Sequence, residues 1–201
     1  MYKYDKLKQY PINIKRKDPK MAKYILTQCG GPYGELGAAI RYLSQRYTMP
    51  DERGRTLLSD IASEEFGHVE MICALVHQLT DGCTLKELED AGLGCKYAQH
   101  GKGIFPSDCN GVPFGVDNIG VTGNFIADLS EDMAAEEKAR VTYEHLIDLC
   151  RDDDVRDVLL FLRQREVVHY NLFKELLEMY KKEYSRRTSF HQELYKFGLK
   201  K

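Results

Sequence analysis

One pattern occurs twice in the chain: a glutamate is followed 30 residues later by a second glutamate and 33 residues later by a histidine. The two copies consist of Glu35, Glu65 and His68, and of Glu136, Glu166 and His169. Residues three apart lie about 60° apart around a helix that turns ~100° per residue, so a Glu-x-x-His pair can reach one metal ion. Two such halves are what a four-helix bundle needs to build a two-metal carboxylate site in its core. The pattern therefore predicts an all-α fold organised around these six side chains.

Apolar residues at helical spacing predict four long helices. These helices cover residues 20–47, 52–79, 124–150 and 154–184. The run Gly30-Gly31-Pro32-Tyr33-Gly34 interrupts the first helix, and its proline predicts either a kink or a new helix start. We expect a ferritin-like four-helix bundle over residues 20–184, with a long crossover connection between helices 2 and 3.

The segments outside the four helices have different patterns. Residues 80–123 are rich in Gly, Pro, Asn and Asp and form the predicted crossover. Within them a capping box at Thr84 predicts one short helix over residues 84–91. Residues 1–19 are predicted to form an extended N-terminal arm that wraps a neighbouring molecule. Residues 185–201 are predicted to form a C-terminal tail, either a short helix or a docking segment.

Composition excludes several classes of protein. A formal net charge of −2 argues against a nucleic-acid partner, which usually leaves a basic surface. No apolar run has membrane-spanning length, and the N-terminus lacks the apolar core of a secretory signal, so we expect synthesis in the cytoplasm. The six cysteines include no Cys-x-x-Cys pair, which excludes a zinc-ribbon module. Whether Cys83, Cys95 and Cys109 form disulfides is left open.

Several glutamates compete with those of the pattern. Glu64 and Glu137 are each next to a pattern glutamate, and Glu144 lies two turns along the same face as Glu136. The alternative to a metal site is a set of solvated carboxylates and ordinary histidines. That alternative does not explain why each pattern residue falls on the apolar side of its helix, where burying an unpaired charge costs several kcal/mol.

Helix rotation separates the remaining candidates. His77 and His145 each lie nine residues beyond a pattern residue, which is about half a turn out of phase, so both should point away from the site. Tyr42 and Tyr143 lie two turns after Glu35 and Glu136. We expect them either in the core or beside the site, where a phenol would order a carboxylate.

A carboxylate-rich site with few histidines suits manganese or iron better than copper or structural zinc. Five segments, in order over residues 20–180, resemble the manganese catalases. They are Gly30-Gly31-Pro32-Tyr33-Gly34-Glu35-Leu36-x-Ala38-Ala39, Glu64-Glu65-x-Gly67-His68-Val69-Glu70-Met71, Gly123-Asn124-x-x-Ala127-Asp128-Leu129, Ala134-Ala135-Glu136-x-x-Ala139-Arg140 and Phe161-Leu162-x-x-Arg165-Glu166-x-x-His169. In its short length the chain is similar to the manganese catalases of the spore coats of endospore-forming bacteria.

The resemblance implies a two-manganese site and a reaction. The implied metal ligands are Glu35, Glu65, His68, Glu136 and His169. Glu65 would bridge the two ions, and Glu166 would handle protons beside them, although spacing alone leaves Glu166 open as a second bridge. The implied reaction is the disproportionation of hydrogen peroxide to water and dioxygen. The resemblance also implies a homo-oligomer, such as a hexamer, deposited in the spore coat with other coat proteins.

Two alternatives use the same residues. A di-iron ferritin-like peroxidase or oxidase would need the same ligand types. A structural spore-coat protein would keep the bundle around a vestigial metal site. Metal content and release of dioxygen from peroxide would distinguish these alternatives.

Overall fold

The computed structural model describes the backbone of residues 9–196 and the side chains of residues 9–183. Within this part of the chain it contains helices and no β-strand, so the all-α prediction is confirmed. The α-helices are α1 (Pro19–Ile25), α2 (Thr27–Gly30), α3 (Glu35–Gln45), α4 (Glu52–Thr80), α5 (Leu85–Asp90), α6 (Gly94–His100), α7 (Phe125–Leu149) and α8 (Asp153–Lys196). Short 3-10 helices span Arg46–Thr48 and Val116–Asn118.

Helix starts follow the capping residues of the sequence. Asp18 accepts a hydrogen bond from the Met21 backbone at 2.9 Å, with Pro19 in the first turn of α1. The side chains of Asp51 and Asn124 accept hydrogen bonds from the first free backbone N–H groups of α4 and α7. The Thr84 capping box is present at the start of α5, as predicted. These bonds satisfy donors that a helix leaves unpaired at its N-terminus.

An unbroken helix over residues 20–47 is wrong, because the chain forms three shorter helices there, and the alternative of a new helix start after Pro32 is confirmed by α3. The break between α2 and α3 falls at the Gly-Gly-Pro-Tyr-Gly run. A Cβ atom at Gly30 would lie 2.6 Å from the backbone nitrogen of Ser107 and 2.7 Å from the carbonyl carbon of Pro106. The crossover therefore packs directly on the break, and glycine is needed at this close approach. The break also makes Glu35 the first residue of α3.

Two apolar clusters fill the bundle, one on each side of a polar layer. One cluster includes Ile72 and Leu75 of α4 with Leu159 of α8. The other includes Leu58 of α4 with Phe173 of α8. Between these apolar segments, both helices present their Glu-x-x-His residues inward, and those side chains are buried. The layer is therefore enclosed by hydrocarbon above and below it.

The ends of the chain extend the bundle. In the arm, Tyr10 stacks on Phe161 of α8 with ring centroids 4.9 Å apart, and Ile14 donates its backbone N–H to Gln78 of α4 at 2.7 Å. The described part of the arm thus packs on its own chain. At the other end, α8 continues past the predicted boundary to Lys196, and the remaining tail residues 197–201 lie outside the described residues, as do residues 1–8 of the arm.

Two further observations concern the chain between residues 9 and 196. None of its helices combines the length and the apolar composition needed to cross a membrane. All six cysteines lie within the described side chains and are free thiols, including Cys83, Cys95 and Cys109.

Candidate metal centre

Glu65 lies at the centre of the polar layer with a histidine on each side. Its Oε2 is 2.9 Å from His68 Nδ1 on the same helix, and its Oε1 is 2.8 Å from His169 Nδ1 on α8. All three side chains are fully buried, and the two imidazole rings lie 5.7 Å apart between centroids. A single carboxylate therefore faces both histidines with one oxygen each.

Glu35 and Glu136 lie at the two flanks. Glu35 Oε2 is 3.5 Å from His68 Nδ1, and Glu136 Oε2 is 3.7 Å from His169 Nδ1. As the first residue of α3, Glu35 also benefits from the positive end of the helix dipole. Each flank thus combines one histidine with one glutamate of its own and shares Glu65 with the other flank.

Two buried phenols connect the flanks across the bundle. Tyr143 of α7 donates to Oε1 of Glu35, which is on α3. Tyr42 of α3 donates to Oε1 of Glu136, which is on α7. Each tyrosine therefore orients the glutamate that belongs to the other half of the sequence pattern. The prediction that a phenol orders a carboxylate describes both residues.

Glu166 contributes to both halves of the layer. Ligand atoms of Glu35, Glu65, His68 and Glu166 lie within 4.8 Å of one another, and so do those of Glu65, Glu136, Glu166 and His169. The structure thus brings all six pattern residues into two groups that share Glu65 and Glu166.

Burial and neighbouring charges shift the pKa values of these groups in opposite directions. Burial, reinforced by the Glu65 carboxylate, raises the pKa of Glu35 to about 8. Burial, with the charges of the other glutamates, also raises the pKa of Glu166 well above its usual range. For Glu65, burial is outweighed by the two histidines, which lower its pKa. For His169, burial is outweighed by Glu65 and other carboxylates, which raise its pKa to about 12. More carboxylates meet here than the histidines can neutralise, which is an environment that favours cations.

The donor atoms fit a pair of metal ions. Glu65 Oε1, Glu136 Oε2, Glu166 Oε1 and His169 Nδ1 are buried without a hydrogen-bond partner among the protein atoms. Buried polar atoms are nearly always paired, so a group of such atoms aimed at one space indicates a ligand. Two ligands at right angles around an octahedral ion, each ~2.1 Å from it, lie about 3 Å apart, close to the spacing of Glu65 from the histidines. Oxygen-rich sites with imidazole suit manganese or iron.

A cavity of about 360 Å³ leads from the surface to this layer. Glu35, Glu136 and Glu166 lie at its inner end, and residues 117–120 of the crossover form part of its wall. Two side chains of α3 hold that wall: Arg41 donates to the Asn118 carbonyl at 2.6 Å, and Gln45 donates to the Gly120 carbonyl at 2.9 Å. The crossover therefore shapes the route to the buried carboxylates.

The competing candidates lie elsewhere, with one exception. Glu137 and Glu144 form surface ion pairs with Arg140, and His77 and His145 are exposed, as helix rotation predicts. Glu64 is the exception. It lies within 3.6 Å of Nε2 of both site histidines. Its contact with His68 is an i, i+4 pair on α4, whereas its contact with His169 depends on the packing of α8 against α4.

Sequence reasoning also missed two buried acids on α7. Asp128 and Asp132 lie two turns and one turn before Glu136 and are fully buried. Asp128 accepts hydrogen bonds from the backbone and the hydroxyl of Thr122, at 2.9 and 2.6 Å. Asp132 lies four residues from both Asp128 and Glu136, so all three share one face of the helix, and that spacing was the available signal.

Comparisons with known proteins agree with this geometry. Residues 1–198 match the family model described as "Manganese containing catalase". Protein CotJC of Bacillus subtilis (strain 168) is 48% identical over 190 residues, which cover 94% of this chain and 100% of that protein. A manganese catalase of Bacillus subtilis is 34% identical over 184 residues, which cover 85% of this chain and 67% of that protein.

A solved structure shares the fold. The crystal structure of wild-type KatB, a manganese catalase from Anabaena, matches with a TM-score of 0.80 and 31% identity, and the match covers 89% of this chain and 80% of that one. The predicted ferritin-like architecture is therefore confirmed. Together with the family match over nearly the whole sequence, this likeness shows that the chain belongs to the manganese catalase family.

Proposed function

We propose that this protein is a dimanganese catalase that converts hydrogen peroxide to water and dioxygen. The observation that carries the proposal is the position of Glu65, whose two oxygens each face a histidine in a buried layer of unpaired ligand atoms. Glu35 and His68 would hold one ion, Glu136 and His169 the other, and Glu65 would bridge them. Two bound manganese ions would exchange one electron each, giving two electrons to one peroxide and taking two from another, which matches the two-electron chemistry of peroxide.

In this proposal Glu166 is the catalytic residue that moves a proton. It lines the cavity through which a small substrate reaches the layer, and its Oε1 has no hydrogen-bond partner in the protein. Burial raises the pKa of Glu166 well above its usual range, so this carboxyl can hold a proton beside the site, which supports a role in proton transfer. Glu166 would take a proton from peroxide and return it to the departing oxygen.

The test combines metal content with gas release. Protein purified from cells that do not overexpress it should contain two manganese ions per chain and release dioxygen from hydrogen peroxide. Glu166→Gln should keep its manganese and lose most of the activity, and Glu175→Gln is the matched control, because Glu175 is an exposed glutamate of the same helix. Iron without release of dioxygen would support the di-iron peroxidase or oxidase instead. Absence of both metals would support a structural protein with a vestigial site.

The proposal extends to location and assembly. Similarity to protein CotJC and to the short spore-coat members of the family supports deposition in the spore coat with other coat proteins. The family also supports a homo-oligomer, with a hexamer as the specific proposal. Light scattering of the purified protein tests the oligomer, and fractionation of spores tests the location.

A further inference from the structure

Glu64 lies behind both histidines of the site, on the side away from Glu65. Its Oε1 is 3.6 Å from His68 Nε2, and its Oε2 is 3.2 Å from His169 Nε2. In the structure these are ion-pair contacts without hydrogen-bond geometry. On its outer side Glu64 accepts two hydrogen bonds from Arg165, from Nε at 2.5 Å and from Nη2 at 3.2 Å. One carboxylate thus faces a histidine of each half of the site and is held by a single arginine.

The chemistry of a ligating histidine gives this contact a role. In both rings Nδ1 faces Glu65, so Nδ1 is the atom available to a metal ion. A neutral ring that binds through Nδ1 carries its proton on Nε2. Both rings are fully buried, so this N–H requires an acceptor inside the protein. For each ring, an oxygen of Glu64 lies on that side.

We propose that Glu64 is a positioning residue that holds both histidines in the metal-binding tautomer and orientation, and that it thereby controls the affinity of the two manganese ions together. This inference rests on the proposed function. The proposed role of Glu64 differs from the roles of Tyr42 and Tyr143, because each phenol contacts a glutamate that belongs to one ion only. Arg165 anchors the shared carboxylate, since its bidentate hydrogen bonds fix the plane of the carboxyl group.

The test is a manganese titration of the metal-free, full-length protein, in which electron paramagnetic resonance measures the concentration of the free ion. Glu64→Gln should lower the affinity for both manganese ions, each on the order of 10- to 100-fold. This is the usual loss of affinity when a partner of a ligating histidine is removed. Arg165→Gln should lower the affinity for both ions to a smaller extent. It serves as the test variant if Glu64→Gln does not fold. Glu137→Gln is the matched control, because Glu137 also adjoins a site glutamate and pairs with an arginine but is 46% exposed at its side chain.

The outcomes separate this inference from the proposed function. If the unmodified protein binds two manganese ions and releases dioxygen, while Glu64→Gln binds both ions like the Glu137→Gln control, only this inference is overturned. It is equally overturned if Glu64→Gln weakens one ion alone. If the unmodified protein binds no manganese pair, the proposed function fails and this inference fails with it. Joint weakening in Glu64→Gln and Arg165→Gln, with unchanged thermal unfolding of the metal-free chains, supports it.

Discussion

Replacing Tyr143 by phenylalanine should lower the affinity for one metal ion. This is the ion that we assign to Glu35 and His68, the first copy of the sequence pattern, although Tyr143 lies in the same helix as Glu136 of the second copy. The phenol lies on α7 but donates to Glu35 of α3, which belongs to the ion that we assign to His68. Phenylalanine has the same shape without the hydroxyl, so the fully buried position keeps its packing. The change therefore removes one hydrogen bond and little else.

The size of the effect follows from the charge on Glu35 with and without metal. A hydrogen bond to a charged group contributes about 1.5–3 kcal/mol, and one to a neutral group about 0.5–1.5 kcal/mol. The pKa of Glu35 is raised to about 8 by burial and by Glu65, so at neutral pH the carboxyl is mostly protonated without metal and ionised when it binds. The difference of about 1–1.5 kcal/mol corresponds to a roughly 5- to 12-fold loss of affinity.

A background that keeps a single ion provides the assay. His169→Ala should retain the ion that we assign to Glu35 and His68, and manganese affinity is measured by titration of the metal-free protein. Tyr143→Phe should lower that affinity by the stated factor, whereas Tyr42→Phe, whose phenol contacts Glu136, should not. Equal losses for the two tyrosine variants, or a loss for Tyr42→Phe alone, would refute the crossed arrangement.

Three further expectations follow from the fold and the site. Gly30→Ala should destabilise the protein in urea unfolding, because the added Cβ would collide with the crossover backbone. Gly37→Ala should be neutral or stabilising by up to ~1 kcal/mol, because its Cβ meets nothing closer than 3.8 Å. Equal stability of the two variants would contradict this account. Arg41→Ala should release the cavity wall at Asn118 and speed the loss of bound manganese to a chelator, and an unchanged rate would show that Arg41 does not hold the entrance. The metal-free protein should melt at a lower temperature at pH 8 than at pH 6, because the pKa of Glu35 is raised from 4.5 to about 8 and that of His169 from 6.5 to about 12. Across this range the folded chain binds more protons than the unfolded chain, so its stability falls as the pH rises. Manganese affinity should rise from pH 6 to pH 8. A melting temperature that does not depend on pH would refute the raised pKa values of Glu35 and His169.

The sequence was sufficient to predict the bundle and the six residues of the polar layer, because both depend on spacing along single helices. Glu65 and His68 share a face of α4 whatever the rest of the chain does, and Glu166 and His169 share a face of α8. The equal spacing of the two copies then indicated that the faces meet. Local periodicity of this kind survives folding, so it can be read from one sequence.

Contacts that depend on the rotation and depth of two helices could not be predicted in this way. Glu64 is adjacent to Glu65, and only the packing of α4 against α8 shows that it reaches His169. Asp128 and Asp132 are not revealed by apolar spacing, because acidic side chains share the buried face of α7 with its apolar residues. The position of the break before Glu35 depends on the crossover lying against Gly30, a contact between distant parts of the chain.

The six side chains of the proposed site come from α3, α4, α7 and α8, while residues 117–120 of the long crossover form part of the cavity wall. Changes in the crossover away from its contact with Gly30 can therefore alter which molecules enter, and how fast, while the donor atoms stay in place. Access and reactivity are separately adjustable in such a protein. Relatives with different crossovers would then be expected to differ first in substrate size and inhibitor sensitivity, and only later in the metals they hold.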